Sequence, residues 1–581
     1  MRKTKILATL GPASNDVAII KKMIKNGMDA ARINFSHSTH EAHEVLINKL
    51  KEAREAMGKP VPLILDTKGP EIRIKTFDSD KIYLEQGAEF TLTTRDIVGN
   101  KEIVAVTYSD LPHDLQVGSR VLIDDGLIEL KVLSIVETDI KCVVVNAGFL
   151  ASRKGVNIPD VYVNLPSITE QDINDIKFGI KMDFDYIAAS FVRTANDVLN
   201  IRKVLEENGG EHIRIIAKIE SRDGVNNLNS ILEVADAIMV ARGDLGVEIP
   251  PEEVPLVQKK MIAACNNIGK PVITATHMLE SMCANPRPTR AEANDVANAI
   301  YDGTDVVMLS GETAGGQYPV EAVTMMARIA ATAESAIDYT NNIHHNFNKN
   351  ITNAISFAAC ATATDMDAAC IVAITDSGFA ARMVSRVRPS CPILAMTTYR
   401  SVYRQLSLVW GCLPFLYDEI SSNEDVFDMA EKISMETGLA KPGETIVAIA
   451  GVPIGIAGTT NTIKVCTVGD VLIKGKSTST ARVQGISRVF KVQDKTENPY
   501  FDRGDIIFCT ETSDHMLDFM KKAGAIVIGD WEKLDCSHAE TVCRALDIPL
   551  MIASVKVVDA VKSGSPVTVD AAQGLVFNGF K

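Results

Sequence analysis

Apolar runs of strand length alternate with amphipathic stretches from the start of the chain. Residues 3–10 (KTKILATL) and 31–35 (ARINF) read as buried strands. Between them NDVAIIKKMIKNG carries apolar positions at helical spacing and stops at Gly27, as a helix C-cap does. Ser38-Thr39-His40-Glu41 has the form of a capping box ahead of a helix over EAHEVLINKLKEAREAMG, and PLILDTKGPEIR follows as a third strand. From about residue 71 to 165 the period falls to two, in KIYLEQGAEFTLTT, EIVAVTY, RVLIDDGLIELKVLSIV and DIKCVVVNA, with an Asp-Asp-Gly turn suited to a hairpin. Alternation then resumes with a helix from Thr169 and the strands DYIAASF, RIIAKIE, AIMVARGDL, PVITATHM and DVVMLSGE. Eight strand and helix units favour a closed (β/α)8 barrel over an open doubly wound sheet, which usually has fewer strands. The β-rich insertion interrupts the third unit. It is therefore expected to overhang the carboxyl ends of the barrel strands, where a lid excludes water.

After Ile337 a polar stretch, DYTNNIHHNFNKN, marks a boundary, and the strands CIVAITD, PILAMTT and TIVAIAG build a second α/β unit. The Ser/Thr-rich KGKSTSTA leads into a further small α/β domain. The expected class is α/β: a barrel over 1–70 and 166–338, a β-barrel lid domain over 71–165, an α/β domain over 339–474 and a small α/β domain over 475–581.

With 581 residues, the chain exceeds what one hydrophobic core usually holds, which agrees with several domains. The eleven Cys include no C-x-x-C pair, which points to reduced thiols and a cytoplasmic setting rather than a disulfide frame or a zinc ribbon. No signal-peptide pattern opens the sequence and no run approaches a transmembrane span. A net charge of −14 argues against nucleic acid or an anionic membrane as partner, so any anion site has to be local.

Local chemistry concentrates in residues 215–246, where two apolar runs end in charge: IIAKIE on Lys218 and Glu220, AIMVARGDLG on Arg242 and Asp244. Strands buried on both faces tolerate charge only where their ends meet solvent or a ligand. Glu220 and Asp244 suit one hard cation such as Mg²⁺, which takes one or two carboxylates plus substrate oxygens, and Lys218 would neutralise a bound anion. Plain salt bridges at strand ends are the alternative. Arg32, Asn34, Ser36, Asp66, Thr67 and Arg73 cluster at other strand ends. His37, His40 and His43 repeat at a spacing of three that begins before the helix, without a ligand-spaced carboxylate, so no metal role is expected for them. Thr375-Asp376-Ser377-Gly378, where a strand meets a helix, can cradle a phosphate or simply cap the helix. Residues 469–477 imitate a Walker A loop, but five residues separate Gly469 from Gly475 where the motif needs four, and the stretch reads as linker.

Together ARINFSH, LDTKGPEIR, AKIES, MVARGDLG, TATHMLESM, PRPTRAE and LSGETA resemble the pyruvate kinase family, over residues 1 to about 474. The resemblance implies transfer of the phosphoryl group of phosphoenolpyruvate to ADP in glycolysis, with Mg²⁺ (or Mn²⁺) and K⁺ as cofactors. It also implies a homotetramer, and an allosteric domain over 339–474 that takes a phosphorylated small-molecule effector at Thr375, Ser377 and Gly378. By the same resemblance Lys218, Arg32 and Thr276 are catalytic, and Arg32, Gly243, Asp244, Thr276 and Ser310 bind substrate. Asn34, His37, Arg73 and Lys154 bind nucleotide. Glu220 and Asp244 hold Mg²⁺, and Asn34, Ser36, Asp66 and Thr67 hold K⁺. Glu71 occupies the position at which Glu accompanies K⁺ dependence in the family, whereas His277 stands where many relatives carry Gln or another polar residue. Glu71, Arg73 and Lys154 favour a kinase over a Mg²⁺-dependent aldolase or carboxylase, and no catalytic loss points to a degenerate sensor.

Residues 478–581, through DCSHAETVCRALDIP, resemble the swivelling phosphohistidine domain of phosphoenolpyruvate-utilising enzymes. Those enzymes place Gly-Gly before Thr-Ser-His. Here Lys533-Leu534 and Cys536 precede Ser537 and His538, and an unphosphorylated, structural or interface role is expected.

Overall fold

The first apolar runs of the catalytic-barrel pattern become β1 Lys5–Leu10, β2 Ala30–Asn34, β3 Leu63–Asp66 and β4 Tyr186–Ala189. The remaining four are β5 Arg214–Ile219, β6 Ala237–Ala241, β7 Val272–Ala275 and β8 Val306–Leu309. The coordinates are a computed structural model and describe residues 1–161, 163–339, 350–418, 423–452, 460–491, 500–529 and 536–580. Every barrel pairing is parallel and joins chain neighbours, and β8 returns to β1 with Lys5 opposite Val306 and Ala8 opposite Leu309. Alternate side chains face two different cores. Leu7, Ile64, Ala188, Ile216, Met239 and Ile273 belong to one cluster, while Ile6, Leu63, Ile187, Ile215 and Ile238 pack in another with the surrounding helices. Burial on both faces is why these runs read as continuously apolar instead of alternating.

Local signals set the helix ends. Asp16 accepts from the N–H groups of Ala18 and Ile19 to start Val17–Asn26, and Gly27 ends it at φ 124°. Thr169 and Asp172 cap each other's backbone at the start of Glu170–Lys181. The capping box expected at Ser38 does not form, and a single cap bond one residue later takes its place. Ser38 takes φ 77°, and Thr39 is the N-cap of His40–Met57, its Oγ1 accepting from the Ala42 N–H at 3.4 Å.

The insertion is a β-domain whose seven-stranded sheet is mostly antiparallel. Its Asp-Asp-Gly turn joins Arg120–Ile123 to Ile128–Val136, with Asp124, Asp125 and Gly126 all at positive φ, the conformation that two-residue hairpin turns require. Phe90, Leu92, Val104, Leu130 and Ile140 fill its own core.

The chain separates into two compact units, residues 1–357 with 374–418, and residues 358–373 with 419–581. In the first, Ile393–Thr397 and Cys412–Leu416 pair in parallel. Within the second, Cys370 to Ala373 pair in parallel with Ile446 to Ile449 of the strand Thr445–Gly451, which pairs antiparallel with Thr460–Thr467. The second unit also holds a closed seven-stranded barrel that runs from Val471–Ser477 to Leu575–Asn578. Its first strand corrects the linker reading of 469–477: Val471–Ser477 pairs with both Leu575–Asn578 and Leu550–Ala553. Gly475 is there for close packing, because a Cβ on it would stand 2.5 Å from the Ile552 carbonyl oxygen. Among the described residues no disulfide joins any cysteines, and no helix is long and apolar enough to cross a membrane.

Candidate active site

Polar side chains collect at the carboxyl ends of the barrel strands. Lys218 is the penultimate residue of β5 and Glu220 follows its end, so the two-residue period of a strand puts both on one face. Lys218 Nζ lies 2.9 Å from Glu220 Oε1 and 3.1 Å from Asp66 Oδ1, and donates to Ser190 Oγ at 2.8 Å. From β2, Arg32 Nε reaches Asp66 Oδ2 at 2.5 Å, and Arg32 Nη1 donates to Thr9 Oγ1 at 3.0 Å. The Phe191 N–H donates to the other oxygen of Glu220 at 2.6 Å.

Burial acts against the charges of Asp66, Lys218 and Glu220, and the neighbours decide each outcome. Burial alone would raise the Asp66 carboxyl, but Arg32 and Lys218 hold it below the usual range. For Lys218 burial pulls the ammonium down, and Asp66 and Glu220 more than restore it, so it stays protonated. Glu220 goes the other way: burial pushes it up, Lys218 opposes this, and the nearby negative charge of Asp244 adds to the rise. A buried carboxylate repelled by another carboxylate is one that a divalent cation would relieve. Among the described residues no group of three or more His, Cys, Asp or Glu side chains gathers as a metal cage. A Mg²⁺ site does not require one, since two carboxylates with substrate oxygens and water complete its shell.

Asn34 lies opposite Asp66 in the β2–β3 register, and its Oδ1 accepts from the Ser36 N–H at 3.0 Å. Thr67 Oγ1 accepts from the Ser190 N–H at 3.1 Å, so the four residues expected to hold a monovalent cation sit on adjoining strand ends. At the end of β7, Thr276 and His277 adopt φ 65° and 54°. The Gly243 N–H donates to Thr276 Oγ1 at 2.8 Å, and that hydroxyl donates to the Ala275 carbonyl at 2.6 Å, which fixes its direction. Asp244 sits in the first turn of Arg242–Glu248. Ser310 follows β8, with its N–H donating to Glu312 at 2.7 Å.

A cavity of about 620 Å³ opens beside these strand ends, lined among others by Glu71, Arg73, Asp124, Lys154 and Asp244. Three of its charged side chains, Glu71, Arg73 and Lys154, are paired within the chain. Arg73 makes a two-pronged bond to Glu71 at 2.6 and 2.8 Å, Lys68 Nζ stands 3.4 Å from Glu71, and Lys154 pairs with Asp124 at 2.9 Å. Lys218, Glu220, Arg32 and Thr276 are not in its lining. The three histidines have structural neighbours: His40 pairs with Asp175 at 2.6 Å, and His43 bonds the His37 carbonyl at 2.9 Å while stacking on Phe35.

Sequence patterns alone gave no role to Ser190, Arg242 or Glu312. Ser190 Oγ bridges Lys218 and the Thr67 carbonyl, which it meets at 2.6 Å. Arg242 donates to the carbonyls of Ala275 and Thr276 and pairs with Asp295, holding the positive-φ turn that presents Thr276. Glu312 accepts from the Ser310 and Leu279 N–H groups.

In the 375–378 loop the Thr375 N–H donates to the Met396 carbonyl, and Gly378 at φ 76° caps the helix Phe379–Val387. His538 stands between Thr512 Oγ1 at 2.9 Å from Nδ1 and Asp514 Oδ1 at 3.2 Å from Nε2. Lys533 and Leu534 lie outside the described residues.

The chain is similar to known proteins over its whole length. Residues 1–323 match the family model "pyruvate kinase, barrel domain", residues 353–466 "pyruvate kinase, alpha/beta domain", and residues 501–574 "PEP-utilising enzyme, mobile domain". Pyruvate kinases of Bacillus licheniformis and Geobacillus stearothermophilus are 46% and 45% identical, each over 100% of this chain and 99% of the relative. A crystal structure of a pyruvate kinase from Cryptosporidium parvum aligns with TM-score 0.77 at 41% identity, over 81% of this chain and 96% of that one.

Proposed function

Because the chain belongs to the pyruvate kinase family, and is a phosphotransferase forming pyruvate and ATP from phosphoenolpyruvate and ADP, we propose that its chemistry centres on Lys218. The observation that carries this reading is the buried ammonium of Lys218 held between Asp66, Glu220 and Ser190 at the barrel mouth. Both substrates are polyanions that must meet in line. One pair of like unit charges about 4 Å apart costs about 4 kcal/mol at an effective dielectric near 20, so fixed positive charge is needed to bring them together. Lys218 and Arg32 supply it at the transferring phosphoryl group, Arg73 and Lys154 exchange their carboxylate partners for nucleotide phosphates, and Asn34 and His37 are further nucleotide contacts. A loose phosphoryl-transfer state places charge on equatorial oxygens, which a pre-positioned ammonium stabilises without covalent catalysis.

Glu220 and Asp244 are assigned to Mg²⁺ (or Mn²⁺), and Asn34, Ser36, Asp66 and Thr67 to K⁺, which when bound add Lewis acidity and further positive charge. The donor set fits, because burial and the negative charge of Asp244 push Glu220 up against the opposing pull of Lys218, a rise that a cation shared by the two carboxylates would relieve. Gly243, with Asp244, Thr276 and Ser310, lines the substrate side, and a water held by the Thr276 and Ser310 hydroxyls is the proton source for the enolate carbon. The remaining parts of the reading are a cytoplasmic homotetramer and a phosphorylated effector on Thr375, Ser377 and Gly378. They include the four domains bounded at 70/71, 165/166, 338/339 and 474/475.

Replacing Lys218 with Met tests the centre of this assignment. It is expected to lower kcat about 100-fold or more at saturating substrates while phosphoenolpyruvate still binds. Turnover at the parent rate would remove Lys218 from the transition state.

A further inference from the structure

At the feet of the barrel strands, opposite the Lys218 end, residues 374–418 pack against the barrel through polar bonds. The Tyr186 hydroxyl donates to the Gln405 carbonyl at 3.0 Å, Arg404 pairs with Asp185 at 2.6 Å, and Arg388 pairs with Asp305 at 2.8 Å. A cavity of about 50 Å³ remains in this seam, lined by Arg214, Asp236, Lys270, Ser377 and Arg382 among others.

The charges around it do not balance. Asp236 is the only carboxylate in the lining among the described residues, and it is already shared between Arg202 at 2.6 Å and Arg214 at 3.1 Å. Lys270 donates to the carbonyls of Leu232 and Ala235, which keeps its ammonium at the cavity wall without neutralising it. Arg382 donates from Nη1 to the Ser377 carbonyl at 3.2 Å and has no carboxylate within ion-pairing distance among the described residues. Burial lowers the pKa of Arg382, and the positive charge of Arg214 lowers it further; burial also lowers that of Lys270. Cations set into a protein seam normally carry a partner, because desolvation without one is costly. Space for one water takes only about 10–15 Å³ on the same measure, so the hole admits a larger occupant with several acceptor oxygens.

We infer that this cavity is a binding site for a tetrahedral oxyanion of the phosphate class, held by Arg214, Lys270 and Arg382. Two guanidinium forks and an ammonium from separate elements suit an ion with acceptors on every side. The donors are side chains of β5, of the turn before β7 and of the helix Phe379–Val387, so the site is distinct in chemistry from the hydroxyl and N–H cradle at 375–378. It is nevertheless tied to that loop, because Arg382 bonds the Ser377 carbonyl. Arg214 opens the strand whose penultimate residue is Lys218. Occupation fastens residues 374–418 to the barrel floor.

The test uses the full chain. Calorimetric titration with inorganic phosphate is expected to detect a site whose affinity falls about tenfold or more in Arg382→Gln, the loss that follows from removing one charge-assisted donor set. Equal phosphate affinity and stoichiometry in parent and Arg382→Gln would overturn the inference. Crystals of the unaltered protein grown with selenate give a readout that needs no variant. An anomalous peak within hydrogen-bond distance of Arg382 and Arg214 is expected, and an empty cavity when selenate fills other sites would overturn it. Ribose 5-phosphate distinguishes the source: displacement of phosphate from this site makes the occupant an ester, and no displacement makes it the free ion, both with the oxyanion site standing.

Discussion

Ser190 has no charge and follows the apolar strand Tyr186–Ala189, yet it touches the centre directly. Its hydroxyl accepts from Lys218 at 2.8 Å and donates to the Thr67 carbonyl at 2.6 Å. Replacing Ser190 with Ala should leave the ammonium less firmly directed and lower kcat about tenfold, with a smaller effect on KM for phosphoenolpyruvate, as steady-state kinetics would measure. A kcat equal to the parent's would deny the hydroxyl any positioning role. Lys218, Glu220 and Asp244 were legible in the sequence because a charge closing an apolar run is costly unless something uses it. Ser190 and Glu312 were not, since Lys218 and the Thr67 carbonyl reach Ser190 only when the barrel closes and Glu312 holds main-chain N–H groups; Arg242 was visible as a strand-end charge, but not its hold on the Ala275 and Thr276 carbonyls and on Asp295. Glu71 belongs to the same scale. Both its oxygens engage Arg73, with Lys68 at 3.4 Å, and in the proposed reading its negative charge is one that a monovalent cation balances. The parent is expected to turn over about tenfold more slowly in tetramethylammonium than in K⁺, and Glu71→Lys to narrow that gap. Equal parent rates in the two salts would refute it.

Whole strands were easier to read than their endpoints. All eight barrel strands appear in the sequence as apolar runs, because a parallel barrel buries both faces of each one. Register and caps depend on finer detail, and the helix after β2 begins at His40 because Ser38 adopts a left-handed backbone and leaves Thr39 to cap. The strand Val471–Ser477 escaped recognition because Gly, Lys and Ser make it look like a loop, although Ile473 is buried in the small barrel's core. At the helix Phe379–Val387, the 375–378 loop presents the N-terminal end where anions are favoured. Ser377→Glu would place a fixed negative charge there. The expected outcome is loss of activation by phosphorylated effectors, together with loss of the reciprocal effect of phosphoenolpyruvate on their binding. A variant that responds to every effector of the parent would take the site away from this loop.

On the scale of the molecule, the C-terminal barrel raises the question of whether it carries a phosphoryl group. His538 has both ring nitrogens engaged, by Thr512 and Asp514, which leaves neither one free as a nucleophile in this arrangement. Incubation with phosphoenolpyruvate followed by mass spectrometry in alkali should find no phosphohistidine, whereas stoichiometric phosphate on His538 would contradict the expectation. Deleting this domain is expected to spare pyruvate formation, but the cut has to precede Val471. A cut at 478 would strand Val471–Ser477, whose two partner strands lie at Leu550–Ala553 and Leu575–Asn578.

The β1–β8 pairing sets an order of events during synthesis. Lys5–Leu10 leaves the ribosome first, yet one of its edges is satisfied only when Val306–Leu309 has been made. At about 5–20 residues per second the nascent chain carries that open apolar edge for about 15–60 s. During this interval a strand that is buried along its whole length in the finished enzyme is the part most in need of a chaperone.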